Sequence, residues 1–210
     1  TTETFGAEGS YSKTTAHLDN DYNAATAKLT SATGYSDTEG HDAFDFNRFI
    51  TRTDDVYDAE LIRTTGQARV DTSTSRTLTR GVDGSLSVTA GEGLELADLQ
   101  TLLEKAATLP GGIADLTLAD VTPLSAGTVI DNDYDATAKF LSAEGDSRTI
   151  GHDAFNFNQF LTVTDDRYLT LVGQSRVDTS DSTTETFGAD GSYSKTLAHL
   201  DNDYNAATAK

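Results

Sequence analysis

The densest grouping of chemically competent side chains is Asp19-Asn20-Asp21-Tyr22-Asn23. It recurs as Asp131-Asn132-Asp133-Tyr134-Asp135 and as Asp201-Asn202-Asp203-Tyr204-Asn205. The oxygen donors fall at alternate positions: Asp19, Asp21 and Asn23; Asp131, Asp133 and Asp135; Asp201, Asp203 and Asn205. Hard cations such as Ca2+ take ligands of this kind. The stretch is not an EF-hand loop, because its sixth position is Ala24 rather than Gly and its twelfth is Thr30 rather than Glu. A calcium site at a sheet edge would need further carboxylates, and Asp54, Asp55, Asp165 and Asp166 are the candidates. The competing reading is an acidic turn, since Asp and Asn favour turns without any metal.

Little else in the sequence points to catalysis. The four His occupy two repeated positions, His17 with His199 and His41 with His152. A His41-Asp42 pair would suit general-base work, but strand neighbours point to opposite faces and no Ser nucleophile stands nearby. A structural polar role is the expectation. There is no Cys, hence no disulfide, thiolate zinc site or cysteine nucleophile. No phosphate loop, zinc spacing or dinucleotide fingerprint is present. The chain is therefore expected not to be an enzyme.

Charge narrows the partners. The 210 residues carry 34 acids against 15 Lys and Arg, a net charge of −19. Nucleic acid and anionic membrane surfaces repel such a polyanion, and no apolar run is long enough to insert in a bilayer.

The positioning elements come from repetition. Residues 183–210 repeat residues 1–28 with two differences, Glu8 against Asp190 and Thr15 against Leu197, at an offset of 182. A looser repeat aligns 18–84 with 130–191, through Gly40-His41-Asp42-Ala43-Phe44 with Gly151-His152-Asp153-Ala154-Phe155 and Arg69-Val70-Asp71-Thr72-Ser73 with Arg176-Val177-Asp178-Thr179-Ser180. The organisation read from this is the end of one unit at 1–17, a unit at 18–129 with an insertion at 91–127, a second unit at 130–199, and the start of another at 200–210. The chain reads as a window on a longer tandem array.

Both units read as β. There are 34 Thr and only 2 Pro, and alternation is visible in places. Phe44, Phe46 and Ile50 are predicted to share one face, as are Phe155, Phe157, Leu161 and Val163; Ala25, Ala27 and Leu29 form another such set. Phe49 and Phe160 fall on the opposite side, which suggests cover from a second sheet or a neighbouring copy. Strands are expected near 22–31, 42–53, 56–64, 75–80 and 85–90, with Asp83-Gly84 and Asp190-Gly191 in tight hairpins. The insertion differs. Leu96, Leu99, Leu102, Leu103 and Ala106 follow helical spacing, and Pro110-Gly111-Gly112 stops the run, so a helix is expected at about 94–109. Residues 113–124 read as irregular or short β. The helix either closes one end of its own β unit or docks on a neighbouring copy and sets the spacing of an assembly.

The expected fold is all-β: tandem antiparallel units, sandwich-like or stacked, with one short helix. Units this small, without disulfides, are expected to lean on their neighbours.

Phe187-Gly188-Ala189-Asp190-Gly191-Ser192-Tyr193-Ser194-Lys195-Thr196-Leu197, with its counterpart at 5–15, resembles the hairpin of VCBS-type modules in giant bacterial surface proteins. His152-Asp153-Ala154-Phe155 and Thr164-Asp165-Asp166 more faintly resemble YD repeats of bacterial surface proteins. These resemblances imply a bacterial, exported, repetitive β protein without catalytic residues in its repeats. The expectation is a structural repeat of an extracellular filament, stalk or surface layer, with identical repeats or subunits as partners. The alternative is a calcium-stiffened spacer that presents a distal ligand-binding domain of an adhesin.

Overall fold

The structure, a computed structural model, describes residues 1–124, 126–171 and 174–204. Its elements are β1 (Thr2–Phe5), β2 (Tyr11–Tyr22), β3 (Leu29–His41), β4 (Asn47–Tyr57), α1 (Ala59–Thr65), β5 (Val70–Gly81), β6 (Leu86–Ala90), α2 (Leu96–Ala106), a 3-10 turn (Gly112–Asp115), α3 (Leu118–Val121), β7 (Thr128–Tyr134), β8 (Phe140–His152), β9 (Asn158–Leu171), β10 (Gln174–Gly188) and β11 (Tyr193–Asp201). The fold is all-β, as expected, but it is neither a sandwich nor a stack of separate units. The eleven strands of the described residues form a single antiparallel sheet in which nearly every strand pairs with its sequence neighbours. Among the described residues there are three short α-helices rather than one.

One position in the sheet is shared by two strands. β6 and β7 both lie between β5 and β8. β6 pairs Leu78 with Val88 and Val88 with Ile150. β7 pairs Ser73 with Ile130 and Ile130 with Gly145. Together they replace the one long strand that is β2 elsewhere in the repeat. The insertion 91–127 leaves the sheet at Gly91 and returns at Gly127, and Thr128 Oγ1 donates to the Ala90 carbonyl at 2.9 Å to close the gap. The repeat is thus a cycle of four strand positions within one sheet. Its boundaries at 17/18, 129/130 and 199/200 fall inside β2, β7 and β11.

The inserted segment builds the core. The sheet face carrying Leu78, Leu86, Val88, Ala90 and Ile150 is covered by Leu94, Leu99, Leu102, Ala106, Leu116 and Val121, all buried. β6 shows why this part of the sheet needs a lid: its burial alternates strictly over Leu-Ser-Val-Thr-Ala, the period-2 pattern of a strand with one covered face. α2 starts with a capping box between Glu95 and Asp98. Arg148 ties it to the sheet through Glu95 Oε1 at 2.8 Å, and Arg80 donates to the carbonyls of Ala114 and Leu116.

Several strand boundaries move, each because a side chain bonds the backbone locally. The stretch 22–31 is a hairpin: Asn23 Oδ1 accepts the Ala25 and Thr26 N–H groups at 3.0 Å, and Ala27 turns the chain at φ 54°. Ala25 and Ala27 thus lie in a turn rather than on a strand face with Leu29. The strand expected from 42 begins at Asn47, because Asp42 accepts from Phe46 N–H and Asn47 Nδ2 at 2.8 Å each and holds 42–46 as a turn. Phe44 and Phe46 ride on that turn, Phe155 and Phe157 on its counterpart, and all four are exposed. The separate strand expected at 56–64 is not formed: Val56 and Tyr57 end β4, and Asp58 then caps α1, accepting from Glu60 and Leu61 N–H at 2.8 and 2.9 Å. Residues 113–124 hold the 3-10 turn and α3 instead of β structure.

Candidate functional site

Strand pairing places side chains in straight rows across the sheet. One row is threonine on ten successive strand positions: Thr2, Thr14, Thr38, Thr51, Thr77, Thr89, Thr149, Thr162, Thr184 and Thr196. Their hydroxyls bond in alternate pairs, Thr14–Thr38 at 2.9 Å, Thr51–Thr77 at 2.8 Å, Thr89–Thr149 at 2.9 Å and Thr162–Thr184 at 3.0 Å. β-branched side chains suit the pleat, and cross-strand Thr pairs reinforce it. This row lies on the face opposite the core. Phe49 and Phe160 share that face, where their rings cover Gly40 and Gly151 of the adjacent strands: a Cβ on either glycine would meet ring carbons within 2.7 and 2.5 Å. Cover for these two positions thus comes from within the sheet, glycine against ring.

The row next to the threonines on the core face changes character along the sheet. It is Glu3, Lys13 and Glu39 at one flank, Ile50, Leu78, Val88, Ile150 and Leu161 in the middle, and Glu185 with Lys195 at the other. Lys13 meets Glu39 at 3.6 Å and Lys195 meets Glu185 at 3.2 Å. Such exposed pairs contribute little stability, but opposite charges on adjacent strands favour this register over its slips.

The Asp-Asn-Asp-Tyr motif has a structural function that its acids concealed. Asn132 Nδ2 donates to the Val70 and Asp71 carbonyls at 3.2 Å, and the Tyr134 hydroxyl donates to the Val70 carbonyl at 2.9 Å. In the next copy, Asn202 Nδ2 and the Tyr204 hydroxyl donate to the Val177 carbonyl at 3.1 and 2.7 Å. In both places the neighbouring strand slips register: Tyr57 pairs with Val70 just past the shift, and β10 shifts between Val177 and Thr179. A register shift leaves backbone groups without ladder partners, and the Asn and Tyr side chains supply them. The recurrence of Asn and Tyr with the acids in all three copies was the available signal.

The predicted cation ligands are distributed as follows. Asn23 and Asp135 cap hairpins; the Thr137 hydroxyl, together with the Thr137 and Lys139 N–H groups, holds the Asp135 carboxyl below its ordinary value. Asp21 accepts from Ser31 Oγ at 2.8 Å and Asp133 from Ser142 Oγ at 3.1 Å. Asp19 lies 3.1 Å from His17 Nε2. Asp201 ends β11, exposed Asp203 follows it, and Asn205 lies outside the described residues. Asp131 and Asp133 come close enough to Asp71 to raise its carboxyl value, after burial and Asp58.

The helper residues separate in pairs, because consecutive strand residues face opposite ways. Asp54 is bound by Arg52 at 3.0 Å, as is Asp37, and the Arg52 guanidinium stacks on Tyr35 at 3.8 Å. Asp55, on the threonine face, accepts from Ser73 Oγ at 2.7 Å. In the second unit Val163 stands at the position of Arg52, and an acidic groove of about 690 Å³ opens instead. Asp131, Glu144, Asp146, Asp165, Asp166, Asp181, Arg167 and His199 line it. The structure thus brings Asp131 to the same face as Asp165, whereas Asp166 faces the other way, its carboxylate 3.5 Å from the Tyr168 hydroxyl. Asp146 is the groove's least satisfied member, with Oδ2 buried and lacking a hydrogen-bond partner. Burial first, then Glu92, pushes its carboxyl up. Asp181 bonds His199 at 2.6 Å and raises its imidazole value. Among the described residues no group of three or more His, Asp and Glu side chains has the arrangement of a metal site.

The helix leucines are used within the chain. Leu99 and Leu102 are fully buried in the core, while Leu96 and Leu103 pack on it partly covered. The histidines at 41 and 152 bond backbone: each Nδ1 donates to the carbonyl of the following Asp, at 2.8 and 2.6 Å.

Comparison with protein-family models, with curated proteins and with solved structures gives no match to this chain.

Proposed function

We propose that the chain is a structural repeat of an extracellular filament, stalk or surface layer, whose units join through continuous β contacts to identical repeats or subunits. The observation that carries this reading is the placement of β2 and β11. They are the same strand 182 residues apart, and they sit eight strand positions apart in one unclosed sheet. At the usual strand spacing that is an advance of about 38 Å per period, perpendicular to the strands. A sheet growing in this direction bears axial load on successive backbone ladders. Only its terminal strands have unpaired edges, which limits uncontrolled pairing. The extracellular, bacterial setting rests on the resemblance to VCBS-type and YD-repeat proteins.

The test is electron microscopy of a chain carrying several periods, with and without a chelator. Long fibres or straight rods with an axial repeat of about 38 Å are the expected result. Compact particles without that repeat would refute the reading.

The alternative, a calcium-stiffened spacer of an adhesin, is favoured by one observation, the acidic groove with its unpartnered Asp146 oxygen. Under that reading chelation shortens or softens the rods and calcium raises the melting temperature. An unchanged melt across a calcium titration would remove it.

A further inference from the structure

The turns along one end of the sheet hold aromatic rings out into solvent. Asp42 fastens the turn 42–46, accepting from the Phe44 and Phe46 N–H groups at 3.3 and 2.8 Å. Asp153 does the same for 153–157, accepting from the Phe157 N–H at 2.8 Å. Asp45 and Asn156 carry the chain through positive φ, at 56° and 53°, which short polar residues tolerate. The rings stand in matching pairs, Phe44 with Phe46 at 6.0 Å between centroids and Phe155 with Phe157 at 5.9 Å. All four are 58–77% exposed. Between the pairs lies the turn 81–85. Val82 N–H donates to the Phe46 carbonyl at 2.8 Å, a Cβ on Gly84 would meet the Ala154 carbonyl at 3.5 Å, and Val82 is 69% exposed. The turns 6–10 and 188–192 lie on the outer sides, where Ala189 N–H donates to the Phe157 carbonyl at 2.6 Å. Each ring pair is therefore exposed with a neighbouring turn on both sides.

We infer that this row docks a second copy of the chain, turn end to turn end, about a two-fold axis that crosses the row at Val82. β3 and β8 are four positions apart in the sheet, which sets the two ring pairs about 19 Å apart. The turn 81–85 is midway between them. Ring pair, valine, ring pair reads the same in both directions, as an isologous contact requires. Each Phe44–Phe46 pair then meets a Phe155–Phe157 pair across the axis. Charge selects this arrangement over its alternative. Asp45 is ionised and bound to Arg48 at 2.7 Å, whereas the second turn has Asn156 and Gln159, bonded at 3.2 Å. The crossing axis sets the Asp45 carboxylate near a carboxamide. An axis along the row would set like on like, with Asp45 against Asp45.

The exposed area suits such a contact. Covering the four rings removes roughly 500 Å² from water on each copy, or about 1,000 Å² over both, the size at which specific interfaces begin. An apolar patch of that extent on a soluble chain marks an interaction surface. Opposing it are the cost of association and repulsion between copies of charge −19. A weak dimer that strengthens with ionic strength is expected. The contact is separate from the edge-to-edge β contacts of the proposed filament and does not depend on them. In a chain of many periods the same pattern recurs, so weak contacts add along its length and filaments pair side by side.

Sedimentation velocity of the full chain over a concentration series in high salt tests the contact, with Phe44→Ser and Phe155→Ser beside the parent. Both rings are exposed, so the variants should melt with the parent. The expected result is a parent dimer whose association is several-fold weaker in either variant. An equal mixture of the two variants should associate several-fold more strongly than either alone, because the mixed dimer pairs an intact Phe44 turn with an intact Phe155 turn. A monomeric parent, or association that neither variant weakens, overturns the inference. A mixture no stronger than its components also overturns it, since that is the signature of like on like. Cellohexaose that binds the monomeric parent and not Phe44→Ser would assign the rings to carbohydrate and overturn it as well. Microscopy of the many-period chain keeps the two readings apart. Rods with the repeat of about 38 Å that persist singly when the rings are replaced support the docking row and leave the filament standing. Ring-dependent dimers without rods support the row and remove the filament.

Discussion

Gly91 and Gly127 meet where the strand is broken: a Cβ placed on Gly91 would lie 1.7 Å from the Gly127 carbonyl oxygen. No L side chain fits at that contact, and Gly127 itself sits at φ 94°, a conformation that favours glycine. The contact lets Ala90 and Thr128 approach as neighbours in one strand with 37 residues looped out between them. Replacing Gly91 by Ala is expected to force this junction open and lower the melting temperature by several degrees, with loss of the Thr128–Ala90 bond. Thermal melts and amide exchange at Thr128 check it. An unchanged melt would mean that the junction relaxes freely.

The inserted segment is expected to be indispensable to the sheet it interrupts. Leu99 is fully buried against the sheet face formed by Leu78, Val88 and Ile150. Leu99→Ala removes most of a side chain from a packed site, a change that typically costs about 2–5 kcal/mol. The expected outcome is a chain that unfolds at much lower denaturant, measured by urea titration followed by circular dichroism. Leu99→Met should retain most of the stability, since it roughly conserves volume. Equal midpoints for Leu99→Ala and the parent chain would show that the helix is not part of the cooperative unit.

The β class and the helix from Leu96 were legible because they rest on periodicity, which survives without knowledge of partners; the expected five strands per unit were not borne out, since each unit supplies four positions in the sheet. The turns were less so. Asp42, Asn23 and Asp58 each end or start an element through side-chain bonds to nearby backbone, and the apolar residues beside them imitate strand alternation. Phe44 and Phe46 belong to such a turn, so the period they share with Ile50 is accidental. The separation of Asp54 from Asp55 was legible from alternation alone. The groove around Asp146 was not, because it depends on Val163 standing where the first unit has Arg52, and on β7, β8 and β9 meeting in one register. The threonine row needed the same long-range pairing, although 34 threonines had announced that something used them.

The clamp formed by Asn132 and Tyr134 should matter more than the acids beside it. Tyr134→Phe deletes one bond to the Val70 carbonyl and is expected to cost about 0.5–1.5 kcal/mol. Asn132→Ala deletes the bonds to both Val70 and Asp71 and should cost more. Asp131→Asn, in the same strand but exposed, should leave stability unchanged or slightly higher, because it relieves repulsion at Asp71. Chemical denaturation of the three variants ranks them. An Asp131→Asn variant less stable than Asn132→Ala would reverse the assignment and favour a cation held by that acid.

Asp146 carries the clearest pH dependence. Its folded carboxyl value is raised, by burial first and by Glu92 next, so the folded chain holds the proton where the unfolded chain has released it. The unfavourable charge is present at neutral pH and is relieved as pH falls through the raised value toward the ordinary carboxyl value near about 3.9. Asp146→Asn should therefore melt higher than the parent chain at neutral pH, by on the order of 2 °C for a chain of this size. The advantage should shrink as the pH falls through the raised value and vanish only below the ordinary carboxyl value near about 3.9, where the proton is held in both folded and unfolded chains. Paired melts at several pH values check the sign and the window. A variant that melts lower at neutral pH would mean that the ionised Asp146 carboxylate is stabilising, as it would be with a cation bound in the groove, and repetition in chelator would then separate these two causes.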